Sequence, residues 1–431
     1  MEHRKSIKTI VGDGLCIGCG VCRAVCPAHC IEYVRQNGLY CANVEESKCL
    51  HCGACLEACP GKGCNYRKLY SDLKRPLPMN PYAGDCLEAF TAITKDGAVL
   101  RKAASGGVVT TLVRYLLKES RYDCAFLVDG HNYSDVVQSV RKTADDDLLA
   151  TCKSRYVPVM QTETVQYMLC HPEERIIFVG VPCFVQSLLQ IMSMRGIDRK
   201  KHLIIGLFCE ASLNYNIWNH IGGVAGMEDV KALHFKDKIA GGDGKLCSSW
   251  PGDVCVFGQN GETRLLPKKI RTDAKPFFSP ERCLYCVDKL NQFADVSVGD
   301  NYTKRNAPRM GSSSVIVRTE AGMVVKNETL FDIFPESLEE ISHSQSLSEK
   351  EENLCYQHFC GAQSLIRNDE FPKPRDVEKS RPKYETALRE LAMGAVGDFS
   401  GINEAIKRKA IEKKRRKSLI YKILHFFHLE Q

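Results

Sequence analysis

At 431 residues, 44% hydrophobic and 26% charged, the chain has material for two or three domains and the composition of an ordinary globular protein. Its formal charge of +7 is matched by residues 404–422 alone, where nine Lys/Arg stand against two Glu. The rest is close to neutral, which excludes a basic nucleic-acid-binding core. No run approaches the roughly 20 apolar residues of a spanning helix, and Met1-Glu2-His3-Arg4-Lys5 leads into no apolar segment of the secretory kind. With nothing pointing to export, 23 cysteines read as metal ligands in a reducing cytoplasm rather than as a disulfide framework.

Residues 1–66 are rich in Cys and Gly and hold the only internal repeat. Cys16-x2-Cys19-x2-Cys22-x3-Cys26-Pro27 is followed by Cys49-x2-Cys52-x2-Cys55-x3-Cys59-Pro60. Both fit the bacterial two-cluster ferredoxin spacing, in which the fourth Cys of each run ligates the other cluster. The expected sets are therefore Cys16, Cys19, Cys22 and Cys59 for one [4Fe–4S] cluster, and Cys26, Cys49, Cys52 and Cys55 for the second. A cubane offers four irons, each wanting one thiolate. Gly18, Gly20, Gly53 and Ala54 are small enough to let backbone N–H groups approach the sulfurs. Pro27 and Pro60 turn the chain away after the last ligand. Structural zinc sites are usually built from separated pairs, and a complete cysteine set leaves His51 as a side chain rather than a ligand.

Residues 67–89, with Pro76, Pro78 and Pro81, read as a linker. From 90 to 335 short β-branched runs alternate with helical patterns. Strands are expected at Cys124–Asp129, Arg175–Gly180, Leu203–Phe208, Ala294–Gly299 and Ser314–Arg318, and helices at Val108–Lys118 and Phe184–Met194. Val254–Gly258 and Thr263–Leu266 suit an antiparallel pair. Residues 336–400 read as a polar helical or irregular extension and 401–431 as a basic amphipathic C-terminal helix. The fold class is thus α+β: a bacterial two-cluster ferredoxin-like module followed by a mixed α/β core.

Four further cysteines fall at strand ends of the core: Cys183 after Val181-Pro182, Cys209 after Leu203–Phe208, and the pair Cys283-Leu284-Tyr285-Cys286. Strand ends of an open α/β sheet gather sites. One C-x2-C and two single cysteines can make a four-thiolate site for iron–sulfur or zinc, or can be buried structural residues. Ser105-Gly106-Gly107 opens a helical pattern, with Ser105 as the expected N-cap. A helix N-terminus suits a phosphate, and a helix start without ligand fits the residues equally. There is no G-x-G-x-x-G after a strand and no P-loop.

Taken in order, Ser105-Gly106-Gly107, Lys153-Ser154-Arg155-Tyr156, Gly180-Val181-Pro182-Cys183, Gly206-Leu207-Phe208-Cys209, Phe235-Lys236-Asp237-Lys238, Cys283-Leu284-Tyr285-Cys286 with Asp288, and Ala294-Asp295-Val296-Ser297-Val298-Gly299-Asp300 resemble the family of coenzyme F420 hydrogenase and dehydrogenase beta subunits. The family also includes ferredoxin-linked reductases of chlorophyll pigments. The resemblance covers about residues 90–335, with the ferredoxin domain fused in front. It implies a third [4Fe–4S] cluster on Cys183, Cys209, Cys283 and Cys286. It also implies FAD held by Ser105, Gly106, Gly107 and Thr110, by Ser154, Arg155 and Tyr156, and near Pro182 and Asp300, which makes the mixed α/β core a flavin- and cluster-binding one. Many relatives have Thr and Gln where this chain has Val181 and Phe184, and Trp where it has Tyr302.

The function this suggests is an iron–sulfur flavoprotein oxidoreductase. Flavin joins hydride chemistry to one-electron transfer, and the redox partner would be a ferredoxin, the deazaflavin coenzyme F420 or another oxidoreductase subunit. An electron-transfer or interaction subunit without its own turnover is the alternative, and a zinc-bearing scaffold a third. No acid–base residue is singled out; Asp237 and Lys245 are polar candidates that also read as structural or solvated. The tail, with eight basic residues in Lys407–Lys417 and then Leu419, Ile420, Ile423, Leu424 and Phe427 at helical spacing, suits peripheral contact with the inner face of a membrane, an acidic redox partner, or packing on the core.

Overall fold

The computed structural model describes residues 6–129, 136–238, 248–303, 305–306, 308–348 and 378–428, with side chains up to 417. The N-terminal module carries a hairpin absent from the sequence reading, β1 (Ile31–Gln36) with β2 (Leu39–Val44). Asn37 and Gly38 join the strands at φ 52 and 73, the two left-handed residues of a tight two-residue turn.

The core is built on an eight-stranded mixed sheet. Its strands are β3 (Glu88–Thr94), β4 (Cys124–Asp129), β5 (Gln138–Lys142), β6 (Ile176–Gly180), β7 (Leu203–Leu207), β11 (Val296–Asp300), β12 (Ser313–Val317) and β13 (Phe331–Pro335). Across the sheet they run in the order β13-β3-β12-β11-β7-β6-β4-β5. β4, β6, β7 and β11 are parallel, and antiparallel strands flank them on both sides. The parallel strands are buried on both faces, which is why they read as continuous apolar runs rather than alternating ones.

The two faces are covered by different helices. Ala125, Leu127, Ile177, Val179, Leu203 and Ile205 meet Leu112, Val113, Leu116 and Leu117 of the helix Val108–Lys118. Phe126, Ile176, Phe178 and Ile204 meet Phe184, Val185, Leu188 and Ile191 of the helix Pro182–Arg195. All five strands expected in the core are present within two residues, and the expected antiparallel pair is β9 (Asp253–Gly258) with β10 (Thr263–Leu266). With β8 (Val230–Asp237) they form a second, three-stranded sheet. The helices Asn216–Ala225 and Lys268–Phe278 pack on it, as does the first turn of the long C-terminal helix Phe399–His428 through Ile402 and Ala405.

The expected linker is partly structured. The helix Tyr66–Asp72, capped by Asn65, buries Tyr66, Leu69 and Tyr70 against the core, and the Tyr70 hydroxyl donates to Gln292 Oε1 at 2.6 Å. An i, i+4 aromatic pair flanking Leu69 is an apolar stripe that only a packed helix satisfies. Of the expected 336–400 extension, the helices Leu338–Ser344 and Arg381–Val396 are described; 349–377 lies outside the described residues. No helix among the described residues is long and apolar enough to cross a membrane. The apolar side chains expected after Lys417 lie outside the described ones.

Candidate redox centre

The module gathers its cysteines into two cavities. Cys16, Cys19, Cys22 and Cys59 line one; Cys26, Cys49, Cys52 and Cys55, with Cys30, line the other. The crossing of the fourth cysteine is therefore built into the chain path. Gly20 (φ 81) and Gly53 (φ 78) start the short helices Val21–Ala24 and Ala54–Glu57 that swing Cys22 and Cys55 inward. Among the described residues, no three of these thiols come within 4.8 Å of one another. The thiols alone are thus spread wider than the sulfurs of a zinc site, which sit about 3.8 Å apart, and leave room for a cubane; Cys49 does come within 4.8 Å of ligand atoms of Glu46 and His51. Burial, then the neighbouring Cys59, pushes Cys19 and Cys22 well above the usual thiol range, and burial raises Cys59 to about 11. Crowded, buried thiols such as these three become thiolates together only around a cationic core, the chemistry an iron–sulfur cluster would supply. Hydrogen bonding from Cys41 pulls Cys16 down to about 6 against the effect of burial.

The two cavities differ in exposure. Cys22 and Cys59 are buried, whereas Cys52 is exposed and Leu50, on the rim of the second cavity, is 65% exposed. The first cavity faces the core. Gln161 N–H donates to Cys19 O at 2.8 Å, and the Thr162 and Tyr33 hydroxyls donate to Gly20 O at 3.0 and 2.9 Å. The Ser187 hydroxyl donates to Ala58 O at 2.5 Å, and buried Arg282 Nε donates to Pro60 O and Gly61 O at 3.2 and 3.0 Å.

Arg282 leads directly into the second constellation. Cys283 lies in the 3-10 turn Glu281–Tyr285, and Cys286 follows it. Cys183 sits at the start of the helix after β6; burial raises its thiol, and the adjacent Cys286, Cys283 and Cys19 raise it further. Three of the four expected core ligands thus sit close enough to interact, and Cys183 also interacts with a ligand candidate of the module. Cys209 follows β7, its N–H donating to Lys289 O at 2.9 Å, three residues beyond Cys286. Asn291, at φ 58, clamps the strand ends beneath this group: its Nδ2 donates to Gly180 O at 2.9 Å and Leu207 O at 3.2 Å. Asp288 is fully buried; burial raises its carboxyl, which accepts from Gln186 Nε2 and Gln292 N–H at 3.2 and 3.1 Å.

The residues expected to hold a flavin lie in turns and at strand ends on the C-terminal side of the parallel strands, and several of them bond within the fold. The N-cap of Val108–Lys118 is Gly107 (φ 78), not Ser105. The Ser105 hydroxyl donates instead to Ser312 O at 2.5 Å, and Gly106 N–H to Ser313 Oγ at 3.1 Å, which ties the turn to β12. A side chain on Gly106 would meet Ala92 O at 2.5 Å, so this glycine serves packing against β3. Thr110 Oγ1 lies 3.5 Å from buried Cys152 Sγ. Lys153 (φ 85) and Tyr156 (φ 59) flank Ser154 and Arg155 with left-handed backbone, a strain of ~1–3 kcal/mol each. Arg155 Nη1 donates to Cys152 O at 3.0 Å, and burial lowers the guanidinium to about 10. Lys153 pairs with Asp237 at 2.9 Å, Lys236 pairs with Asp300, and Tyr302 donates to Asp300 at 2.9 Å. Asp237, one of the polar candidates, is thus a buried ion-pair partner; Lys245 lies outside the described residues. Pro182 opens the helix that carries Cys183.

Comparison with known proteins decides the family. Residues 15–63 match the 4Fe-4S dicluster domain, 89–166 the N-terminal part and 173–331 the C terminus of the coenzyme F420 hydrogenase/dehydrogenase beta subunit. The chain belongs to the family of coenzyme F420 hydrogenase/dehydrogenase beta subunits. This beta-subunit homologue is 25% identical to a subunit of the F(420)H(2) dehydrogenase of Methanosarcina mazei over 77% of its own length and 86% of the relative's. It is 25% identical to the beta subunit of the coenzyme F420 hydrogenase of Methanosarcina barkeri over 59% and 82%. Against the coenzyme F420-dependent sulfite reductase of Methanocaldococcus jannaschii it is 26% identical over 74% of this chain, which spans about half (47%) of that protein. A solved chain of the F420-reducing [NiFe] hydrogenase complex from Methanosarcina barkeri superposes at a TM-score of 0.48 and 20% identity, covering 68% of this chain and 100% of that one. The dicluster match encloses all eight expected module ligands, and the C-terminal match all four expected core ligands. Arg282 and Asn291 were not singled out in the sequence; a lone Arg or Asn beside a C-x2-C carries no periodic signal.

Proposed function

We propose that this protein is an iron–sulfur flavoprotein oxidoreductase. Its ferredoxin module holds two [4Fe–4S] clusters, Cys183, Cys209, Cys283 and Cys286 hold a third, and FAD lies at the sheet edge beside it. The observation that supports the reading is the link between the thiol groups: Cys19 of the inner module set interacts with Cys183, and Arg282 interacts with both Cys59 and Cys183 while bonding to Pro60 O and Gly61 O. FAD, when bound, supplies exchange between hydride and single electrons. The chain's own residues position and shield. Arg155 and the N-terminus of the helix Val108–Lys118 offer positive charge to a pyrophosphate. Asn291 fixes the strand ends beneath the core thiols, and Ser187, Arg282 and Gln161 hold the module against the core. The names of the relatives favour coenzyme F420 as the partner, within an assembly containing another oxidoreductase subunit; the ferredoxin-like spacing of the module keeps a ferredoxin as the other candidate.

The use of the Ser105 hydroxyl and Gly106 N–H within the fold favours a second reading: an electron-transfer subunit that carries clusters and leaves flavin and turnover to a partner. Anaerobic preparation followed by iron, acid-labile sulfide and flavin quantitation separates the two. The first reading expects about three cubanes and one FAD that bleaches with reduced F420 or reduced ferredoxin. Full clusters with no flavin and no bleaching overturn it in favour of the second.

A further inference from the structure

The second module cavity is lined by a fifth cysteine. Cys30 Sγ lies 3.5 Å from Cys26 Sγ, and both border the cavity with Cys49, Cys52 and Cys55. The local chain path delivers it there. After Pro27 the backbone turns through His29 at φ 48, a left-handed conformation that a side chain bearing Cβ enters at a cost. His29 N–H donates to Cys26 O at 3.3 Å, and Glu45 N–H donates to Cys30 O at 2.8 Å. The turn on one side and the end of the β1–β2 hairpin on the other thus hold Cys30 over Cys26. Cys30 is 2% exposed. A buried cysteine is ordinarily a small hydrophobe, but that role requires neither a strained turn nor a thiol set on the cavity wall against another thiol.

We infer that Cys30 is an alternate iron ligand for the cluster assigned to Cys26, Cys49, Cys52 and Cys55, placed to substitute for Cys26. The inference rests on that ligand assignment. With Cys26 bound to iron, the Cys30 thiol is within reach to donate to the Cys26 sulfur, a contact that tunes the metal. In exchange, the iron–sulfur bond to Cys26 breaks and one to Cys30 forms, while the Cys30 proton passes to the released Cys26 thiolate. No electron is transferred, so no oxidant or reductant is needed. The 3.5 Å separation of the two sulfurs keeps the exchange local to the cavity wall.

The test uses the full chain, prepared anaerobically, with iron and sulfide analysis and electron paramagnetic resonance of the reduced protein. Cys30→Ala is expected to keep the wild-type iron and sulfide. Cys26→Ala is expected to keep them too, with the spectrum of one module cluster altered. Cys26→Ala/Cys30→Ala is expected to lose one cluster's complement of iron and sulfide. Equal loss in Cys26→Ala and the double variant overturns the inference, as does no loss in the double variant, or loss in Cys30→Ala alone. If Cys26→Ala fails to fold by circular dichroism, Cys30→Ser decides: it must shift the spectrum of one module cluster and leave the other, and an unchanged spectrum overturns the inference. Wild-type protein lacking two module clusters sinks the underlying assignment, and this inference with it.

Discussion

Replacing Arg282 with Met tests the proposed path at its narrowest point. The guanidinium is 7% exposed, bound through Nε to the two carbonyls that follow Cys59, and its charge favours the thiolate forms of both Cys59 and Cys183. A positive charge stabilises the more negative, reduced state of a nearby cluster. Taking a separation of roughly 7 Å and an effective dielectric of about 20, one unit charge contributes ~2.4 kcal/mol, equivalent to about 100 mV for one electron. Arg282→Met is therefore expected to lower the midpoint potentials of the inner module cluster and of the core cluster by several tens of millivolts up to about 100 mV. The outer cluster, on Cys26, Cys49, Cys52 and Cys55, should move much less. Loss of the hydrogen bonds from the charged group also costs ~1.5–3 kcal/mol of docking. Arg282→Lys separates the two effects: it keeps the charge and most of the potential but loses the planar fork. Potentiometric titration followed by electron paramagnetic resonance reads each cluster in turn. Unchanged potentials, a rise, or a shift confined to the outer cluster would refute the placement of Arg282 between two redox centres.

Two further perturbations address the scaffold. His202 is 1% exposed and accepts from Ile176 N–H through Nδ1; burial, then Arg199, lowers it to about 4. Between the ordinary imidazole value near 6.5 and 4, the unfolded chain binds more protons than the folded one, so stability is retained above about pH 6.5 and falls as pH drops, by roughly 3 kcal/mol in total. His202→Asn should flatten that acid limb in urea unfolding measured from pH 4 to 8; an unchanged slope would show that the imidazole is not held neutral. In Gly206→Ala the new methyl would lie 2.4 Å from Asn291 Cγ and 2.7 Å from Ala294 Cβ. Overpacking of this kind costs ~1–3 kcal/mol. Displacing Asn291 should loosen the strand ends below Cys183 and Cys209, so the variant should lose the core cluster's iron and keep that of the module. Equal loss from both would show that the effect is global unfolding.

What was legible in the sequence follows from what is local. The cysteine runs carry their ligand pattern in spacing alone, and the crossing of Cys26 and Cys59 between cavities follows from it. The parallel strands were legible because burial on both faces leaves continuous apolar runs, as in Ile176–Gly180. The β1–β2 hairpin carried a usable signal, Asn37-Gly38 between the short runs Ile31–Gln36 and Leu39–Val44, that the density of cysteines obscured. The helix Tyr66–Asp72 was hidden by the prolines just after it, although Tyr66, Leu69 and Tyr70 already spelled its buried stripe. The docking of Arg282 on Pro60 and Gly61, across more than 220 residues, has no local signature at all. Ser105 shows the reverse case: a hydroxyl before two glycines suggests a cap, but Ser312 O, just before β12, outcompetes the helix start.

The arrangement also assigns an order to the two module sites, because they share one ligand pattern but not one environment. The inner site is held by buried Cys22 and Cys59 and pressed against the core by hydrogen bonds from Gln161, Thr162, Ser187 and Arg282. The outer site opens to solvent through Cys52 and Leu50. Water and exposed dipoles stabilise the additional negative charge of a reduced cluster, and burial away from them opposes it. The interior compensates at the inner site with the Arg282 charge; the outer site is tuned by solvent. A module with one solvent-tuned and one protein-tuned centre suits a fusion in which the outer centre meets an external carrier while the inner one remains matched to the core thiols, whatever the partner.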